Sequence, residues 1–156
     1  MIEINNLTNF AVDKKSFSQV AKKVLSGENR GTATAKAGSR HGGKNVSLAF
    51  VTKAEIQKLN KKFRKKNKPT DVLSFSAQGG PAEGWNLTNK DYLGEIIICP
   101  EVVKENAQKY GVTIKSEMKK VFVHGILHLL GYDHEKSEKE ADEMEQKQEK
   151  YLSKVK

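Results

Sequence analysis

His124-Gly125-Ile126-Leu127-His128-Leu129-Leu130-Gly131-Tyr132-Asp133-His134 packs three of the chain's four histidines into eleven residues. The apolar positions around it predict a central helix over residues 116–130, closed by Gly131. On that helix His124 and His128 stand at i and i+4, so both imidazoles share one face, roughly 6 Å apart at Cβ. A glycine that ends a helix can take the left-handed conformation and turn the chain back over the helix end. The turn can then deliver His134 as a third corner. Two nitrogens at this spacing can bind one ion at ~2.0–2.1 Å, and three leave a tetrahedral ion with one open position. A closed structural site would need a fourth ligand. Cys99, the single cysteine, has no partner at ligand spacing. The expectation is one catalytic transition-metal ion, with zinc favoured, on His124, His128 and His134.

Outward from this helix the chain alternates between strand and helix signals. Residues 2–5 read as a short edge strand. Ser16 is placed to cap a helix to about Leu25, stopped by Gly27. Residues 31–44 read as a flexible excursion and 45–51 as a strand. Thr52-Lys-Ala-Glu55 has capping-box spacing and opens a helix that turns Ile56, Leu59 and Phe63 inward. Residues 69–75 lead from a turn into a strand, 78–91 form a loop, and 93–99 form a buried strand. Pro100 opens a helix that Gly111 stops. Ser137-Glu-Lys-Glu140 opens a last, charged helix to about Leu152, whose charge solvation explains. The sum is one α+β domain over 1–156, with a small mixed four-stranded sheet, about five helices and the metal-binding helix at the centre.

Composition bounds the function. The chain has 156 residues, 37% hydrophobic and 30% charged, as a globular domain does. No apolar run reaches membrane-spanning length, and the N-terminus lacks a secretory signal. With one cysteine, the expected compartment is the reducing cytoplasm. The formal net charge of +9 favours a polyanionic partner. Much of that charge sits in residues 53–68, where Glu55 is the only acid against seven lysines and Arg64. Lys58, Lys61, Lys62, Lys65, Lys66 and Lys68 form a basic track that suits a nucleic acid. Arg64, just before Pro69-Thr70-Asp71, is placed to clamp a phosphate in two-pronged fashion.

The spacing H-x-x-x-H-x-x-G-x-x-H equals that of the metzincin proteases, where glutamate follows the first histidine as general base. Here that residue is Gly125, which disfavours peptide hydrolysis and leaves space beside the metal for an anionic group. Metal, arginine and basic track together point to phosphodiester cleavage, with Arg64, His124 and His128 as the catalytic set. Asp133 is placed either to act as a base or to orient His134 or His128, and the orienting role is favoured. His41 reads as a surface residue, and Cys99 as a small buried hydrophobe. Trp85 could stack on a base or anchor a loop.

The histidine block resembles the signature of the YbeY family of rRNA-maturation endoribonucleases. So do Leu59-Asn60-Lys-Lys-Phe63-Arg64, Pro69-Thr70-Asp71-Val72-Leu73-Ser74-Phe75 and Leu93-Gly94-Glu95-Ile96-Ile97-Ile98. The chain departs from the family pattern at Glu95, commonly aspartate, and near Cys99, often serine. The resemblance implies a zinc-dependent, single-strand-specific endoribonuclease acting in 16S rRNA 3′-end maturation and ribosome quality control. It implies zinc on the three histidines, a catalytic Arg64, and the small ribosomal subunit and assembly factors as partners. The alternatives are a non-catalytic ribosome-assembly factor with a structural zinc and a divergent protease-like hydrolase.

Overall fold

A computed structural model describes residues 1–28, 44–77 and 91–155. The elements run β1 (Ile2–Asn6), α1 (Lys14–Glu28), β2 (Asn45–Phe50), α2 (Lys53–Arg64), β3 (Val72–Ser76), β4 (Tyr92–Ile98), α3 (Pro100–Tyr110), α4 (Ile114–Leu129) and α5 (Glu138–Lys154). The sheet order is β1-β2-β4-β3, with β1, β2 and β4 parallel and β3 antiparallel on β4. This is the expected α+β architecture with a mixed four-stranded sheet. Most of the 31–44 and 78–91 segments lies outside the described residues, together with His41 and Trp85. Among the described residues no helix is long and apolar enough to cross a membrane.

β4 is covered on both faces, which is why its three isoleucines run without a polar break. Ile96 and Ile98 point into the larger core, with Val46, Leu48 and Phe50 of β2 and the apolar faces of α1, α4 and α5. Ile97 points the other way, into a smaller core with Ala49, Leu73, Cys99 and Ile56 of α2. The sheet therefore separates α2 from α4. Burial also raises the Cys99 thiol's pKa, so it behaves as the buried hydrophobe the sequence suggested.

Several boundaries differ from the sequence reading. α1 begins at Lys14 because Asp13 Oδ1 accepts the Ser16 amide at 3.0 Å, and Ser16 lies inside the first turn. Gly27 does not stop this helix, which continues to Glu28. A Cβ at Gly27 would stand 2.5 Å from the Tyr151 hydroxyl, so contact with α5 accounts for the glycine. α4 starts at Ile114, two residues before Ser116, because the Thr113 hydroxyl accepts the Ser116 amide at 3.0 Å. Phe63 is 37% exposed rather than inward, its ring edge-on to Phe75 at 5.1 Å. α5 is more than a solvated face: Met144 and Tyr151 are 1% exposed and belong to the larger core. The caps at Thr52 and Ser137, Pro100 at the start of α3 and the left-handed Gly111 stand where the sequence put them.

Gly94 is the tightest point of the sheet. It has φ +142°, pairs with Ser76 and Val46, and sits beside a register shift between Asn45 and Val46. An added Cβ would meet the Phe75 carbonyl oxygen at 2.1 Å. Gly94→Ala should destabilise the protein by about 3 kcal/mol or more, through backbone strain and a clash that no rotamer relieves. Urea midpoints of the two proteins check this, and equal midpoints would contradict it.

Candidate metal centre

α4 ends in a Schellman turn: the Gly131 amide bonds the His128 carbonyl at 3.0 Å and the Tyr132 amide bonds the Leu127 carbonyl at 3.1 Å. Gly131 has φ +98°, and the chain folds back over the helix end. That turn brings the His134 ring within 5.2 Å of His124 and 5.0 Å of His128, centroid to centroid. His124 and His128 present Nε2 to Nε2 at 3.0 Å. One ligand atom from each of the three histidines lies within 4.8 Å of the other two. Three nitrogens at zinc distance on a tetrahedron stand ~3.3 Å apart. The pair on α4 is already at that spacing, and His134, exposed on its turn, has the freedom to close the third corner. The donor set therefore fits one borderline-soft cation.

Each ring on α4 has its own support. His124 Nδ1 lies 3.0 Å from Gln148 Oε1 on α5. With the amide oxygen as acceptor, Nδ1 carries the proton and the Nε2 lone pair faces the cluster, as a ligand must. His128 takes a hydrogen bond with the Tyr132 backbone. Burial, with the His124 and His134 charges adding to it, lowers the His128 pKa to about 4. Burial also lowers that of His124, against the opposing Gln148 bond. Both imidazoles are thus neutral at physiological pH, the form that binds metal.

The turn that carries His134 is anchored from a distance. Tyr132 donates its hydroxyl to Glu28 Oε2 at 2.6 Å, and Tyr151 donates to Glu28 Oε1 at 2.5 Å. Lys147 reaches both Glu28 oxygens at 2.9 and 3.0 Å and lies 5.2 Å from the Tyr132 ring centre. Burial alone would raise the Glu28 pKa, but the bonds from Tyr132, Tyr151 and Lys147 outweigh it and the net shift is downward. The sequence reading missed Glu28, Lys147, Gln148 and Tyr151. Its available signal was the helical spacing of Met144, Lys147, Gln148 and Tyr151, one face of a helix otherwise rich in charge.

Asp133 Oδ1 accepts the Glu135 amide at 2.9 Å and so caps the turn. Its charge raises the proton affinity of His128 against burial. Gly125 corrects an expectation. It faces the sheet rather than open space beside the metal, and a Cβ there would stand 3.0 Å from Ile96 Cγ2 and 3.2 Å from Ser74 Oγ. A side chain at this position would need Ile96 and Ser74 to give by a few tenths of an ångström, and it would point at the sheet.

Arg64 is exposed at the last residue of α2, across the sheet from α4. No hydrogen bond or ion pair joins it to the histidines among the described residues. The link runs through the α2–β3 loop, whose Asp71 acts on His124 through its charge. The basic stretch is organised by Asn60, 2% exposed. Its carbonyl accepts the Lys65 and Lys66 amides, and its side-chain amide donates to the Lys68 carbonyl at 2.8 Å. Lys58, Lys61, Lys62, Lys65, Lys66 and Lys68 are all exposed on this helix and loop.

The structure is an α+β domain in which three histidines lie close enough at the end of a buried helix to hold one metal ion. The chain matches the profile of the YbeY family, described as "Endoribonuclease YbeY", over residues 3–156. It belongs to that family. It is 42% identical to the endoribonuclease YbeY of Thermotoga maritima over 71% of this chain and 67% of that protein. Its counterpart in Thermotoga neapolitana is 45% identical over 73% and 69%. A solution structure of a Thermotoga maritima protein superposes with a TM-score of 0.64 at 30% identity, covering 99% of this chain and 89% of that one. The homology supports an endoribonuclease role.

Two predictions follow from the support of the rings. Gln148→Leu should weaken zinc binding about 10- to 100-fold, whereas Gln148→Glu, which keeps an acceptor on Nδ1, should bind at least as tightly as the parent. Chelator competition reads both, and an unchanged affinity in Gln148→Leu would remove the orienting role. The second concerns pH. His128 is held at about 4 in the folded chain against an ordinary value of 6.5, so the unfolded chain takes up its proton first as pH falls. The metal-free protein should therefore lose stability progressively from about pH 6.5 to about 4. Urea midpoints across this range should fall more steeply in the parent than in His128→Asn.

Proposed function

We propose that this chain is a zinc-dependent, single-strand-specific endoribonuclease acting in 16S rRNA 3′-end maturation and ribosome quality control in the cytoplasm. The carrying observation is the convergence of three imidazoles, two of them on α4 with lowered pKa values, on one point that has an open side. His124, His128 and His134 would hold one zinc ion per chain. When bound, zinc supplies Lewis-acid polarisation of a phosphoryl oxygen and activation of a nucleophile. Arg64, at the helix end that opens into the Asp71 loop, holds the phosphate and stabilises its developing charge. Lys58, Lys61, Lys62, Lys65, Lys66 and Lys68 bind the RNA backbone on either side of it. Asp133 keeps the turn of His134 in place and acts on His128 through its charge. The small ribosomal subunit and its assembly factors are the partners that present the substrate. Gly125 speaks against a protease, because it supplies no general base and a Cβ there would crowd Ile96 and Ser74 of the sheet.

The test is cleavage of end-labelled single-stranded RNA by the zinc-loaded protein. His128→Ala should abolish turnover, and Arg64→Ala should lower kcat about 10²- to 10³-fold while zinc stays bound. Indistinguishable cleavage by the parent and His128→Ala would end the nuclease reading. The product ends identify the nucleophile: a 2′,3′-cyclic phosphate means the RNA 2′-hydroxyl, and its absence means water.

A further inference from the structure

α3 and α4 form a helical hairpin, with only Gly111, Val112 and Thr113 between them. Asn106 of α3 donates to Asp71 Oδ2 at 3.4 Å, and the Asp71 charge acts on His124 of α4. Tyr110 is four residues beyond Asn106 on α3, and Lys120 is four residues before His124 on α4. These two meet across the hairpin, with Lys120 Nζ 5.8 Å from the Tyr110 ring centre. Lys109 Nζ lies 5.7 Å from the same centre. Lys120 also belongs to the electrostatic surroundings of the site, since its charge lowers the pKa of His124.

Tyr110 is 57% exposed. Two ammonium groups on one exposed ring repel each other, and the arrangement gains most when an anion lies against them. A flat aromatic face flanked by cations matches the two repeating features of single-stranded nucleic acid, a π-face and a phosphate. We propose that Tyr110, Lys109 and Lys120 form a base-stacking subsite for RNA, one helical turn (about 5.4 Å) along α4 from His124. Tyr110 stacks on a base near the scissile phosphate, and Lys109 and Lys120 hold the phosphates on either side. The subsite takes any base, because stacking reads no hydrogen-bond pattern. Its identity as an RNA site rests on the ribonuclease reading, while its geometry does not.

The experiment measures binding of a fluorescein-labelled single-stranded oligoadenylate to the full chain carrying His128→Ala, which prevents turnover, by anisotropy over a salt series. Adding Tyr110→Ala should weaken binding about tenfold or more, and Tyr110→Trp, which keeps a stacking face, should retain it. Lys120→Ala should lower the slope of log affinity against log salt by about 0.7. Equal affinities for the parent and Tyr110→Ala overturn the subsite, as does a failure of the parent to bind the oligomer. Cleavage separates this proposal from the one it rests on. A protein that cleaves RNA with the same KM whether or not Tyr110 is present keeps the nuclease reading and loses the subsite. Tyr110-dependent binding by a chain that cleaves no RNA keeps the subsite and ends the nuclease reading.

Discussion

α4 lies against the sheet at a distance set by the missing side chain of Gly125, and the metal site inherits its position from that contact. Ile96 and Ser74 occupy the space that a Cβ would need. With this residue pressed on the sheet, His124 beside it meets Gln148 of α5, and His128 one turn further on meets His124. Each ring is buried enough to lose proton affinity yet keeps one nitrogen free. A helix one side chain farther from the sheet would leave both imidazoles better solvated and easier to protonate. Protons then compete with metal for the same lone pairs. The close approach thus acts on packing and on ligand chemistry together.

α5 converts that position into orientation. Its Gln148 fixes one ring of the pair, and its Lys147 and Tyr151 converge on Glu28, which in turn holds Tyr132 in the turn before His134. Glu28 closes α1, so the third ligand's turn is tied to both the first and the last helix of the chain. A largely buried carboxylate is costly unless its oxygens are satisfied, and here two hydroxyls and an ammonium meet them. Changes at Lys147 or Tyr151 therefore reach the site through Glu28 and Tyr132 without touching a histidine.

Much of this was legible in the sequence, for physical reasons that can be separated. The histidine spacing gave the cluster because a helix maps i and i+4 onto one face and a left-handed glycine reverses the chain, both local rules. Thr52, Ser137, Pro100 and Gly111 were legible for the same reason. Ser16 misled because Asp13, three residues upstream, caps in its place, and the central helix read from 116 begins two residues earlier because Thr113 caps it. Gln148 and Glu28 were illegible because their roles depend on where α5 lands, which no local pattern encodes. Gly125 was half legible: its departure from the protease pattern was visible, but whether it faced metal or sheet was a tertiary question. Arg64 belongs with these. Its place at a helix end was readable, whereas its position across the sheet from α4 was not.

That separation constrains how the site can work. The histidines stand on one face of the sheet and the basic helix on the other, so a single RNA phosphate is reached by both only at the edge where β3 closes the sheet. The α2–β3 loop crosses that edge. Asn60 holds its backbone from inside, and Thr70, Val72 and Asn106 satisfy the oxygens of Asp71 at its far end. The loop is therefore built as a fixed bracket between the two charge systems. Its acid also has an electrostatic task, because burial, His134 and Lys120 push the proton affinity of His124 down and Asp71 pushes it up. A chain of net charge +9 repels any cation that approaches the histidines. Asp71 and Asp133, one on each side of the histidine pair, place negative charge where that repulsion is greatest and leave the outer lysines to attract RNA.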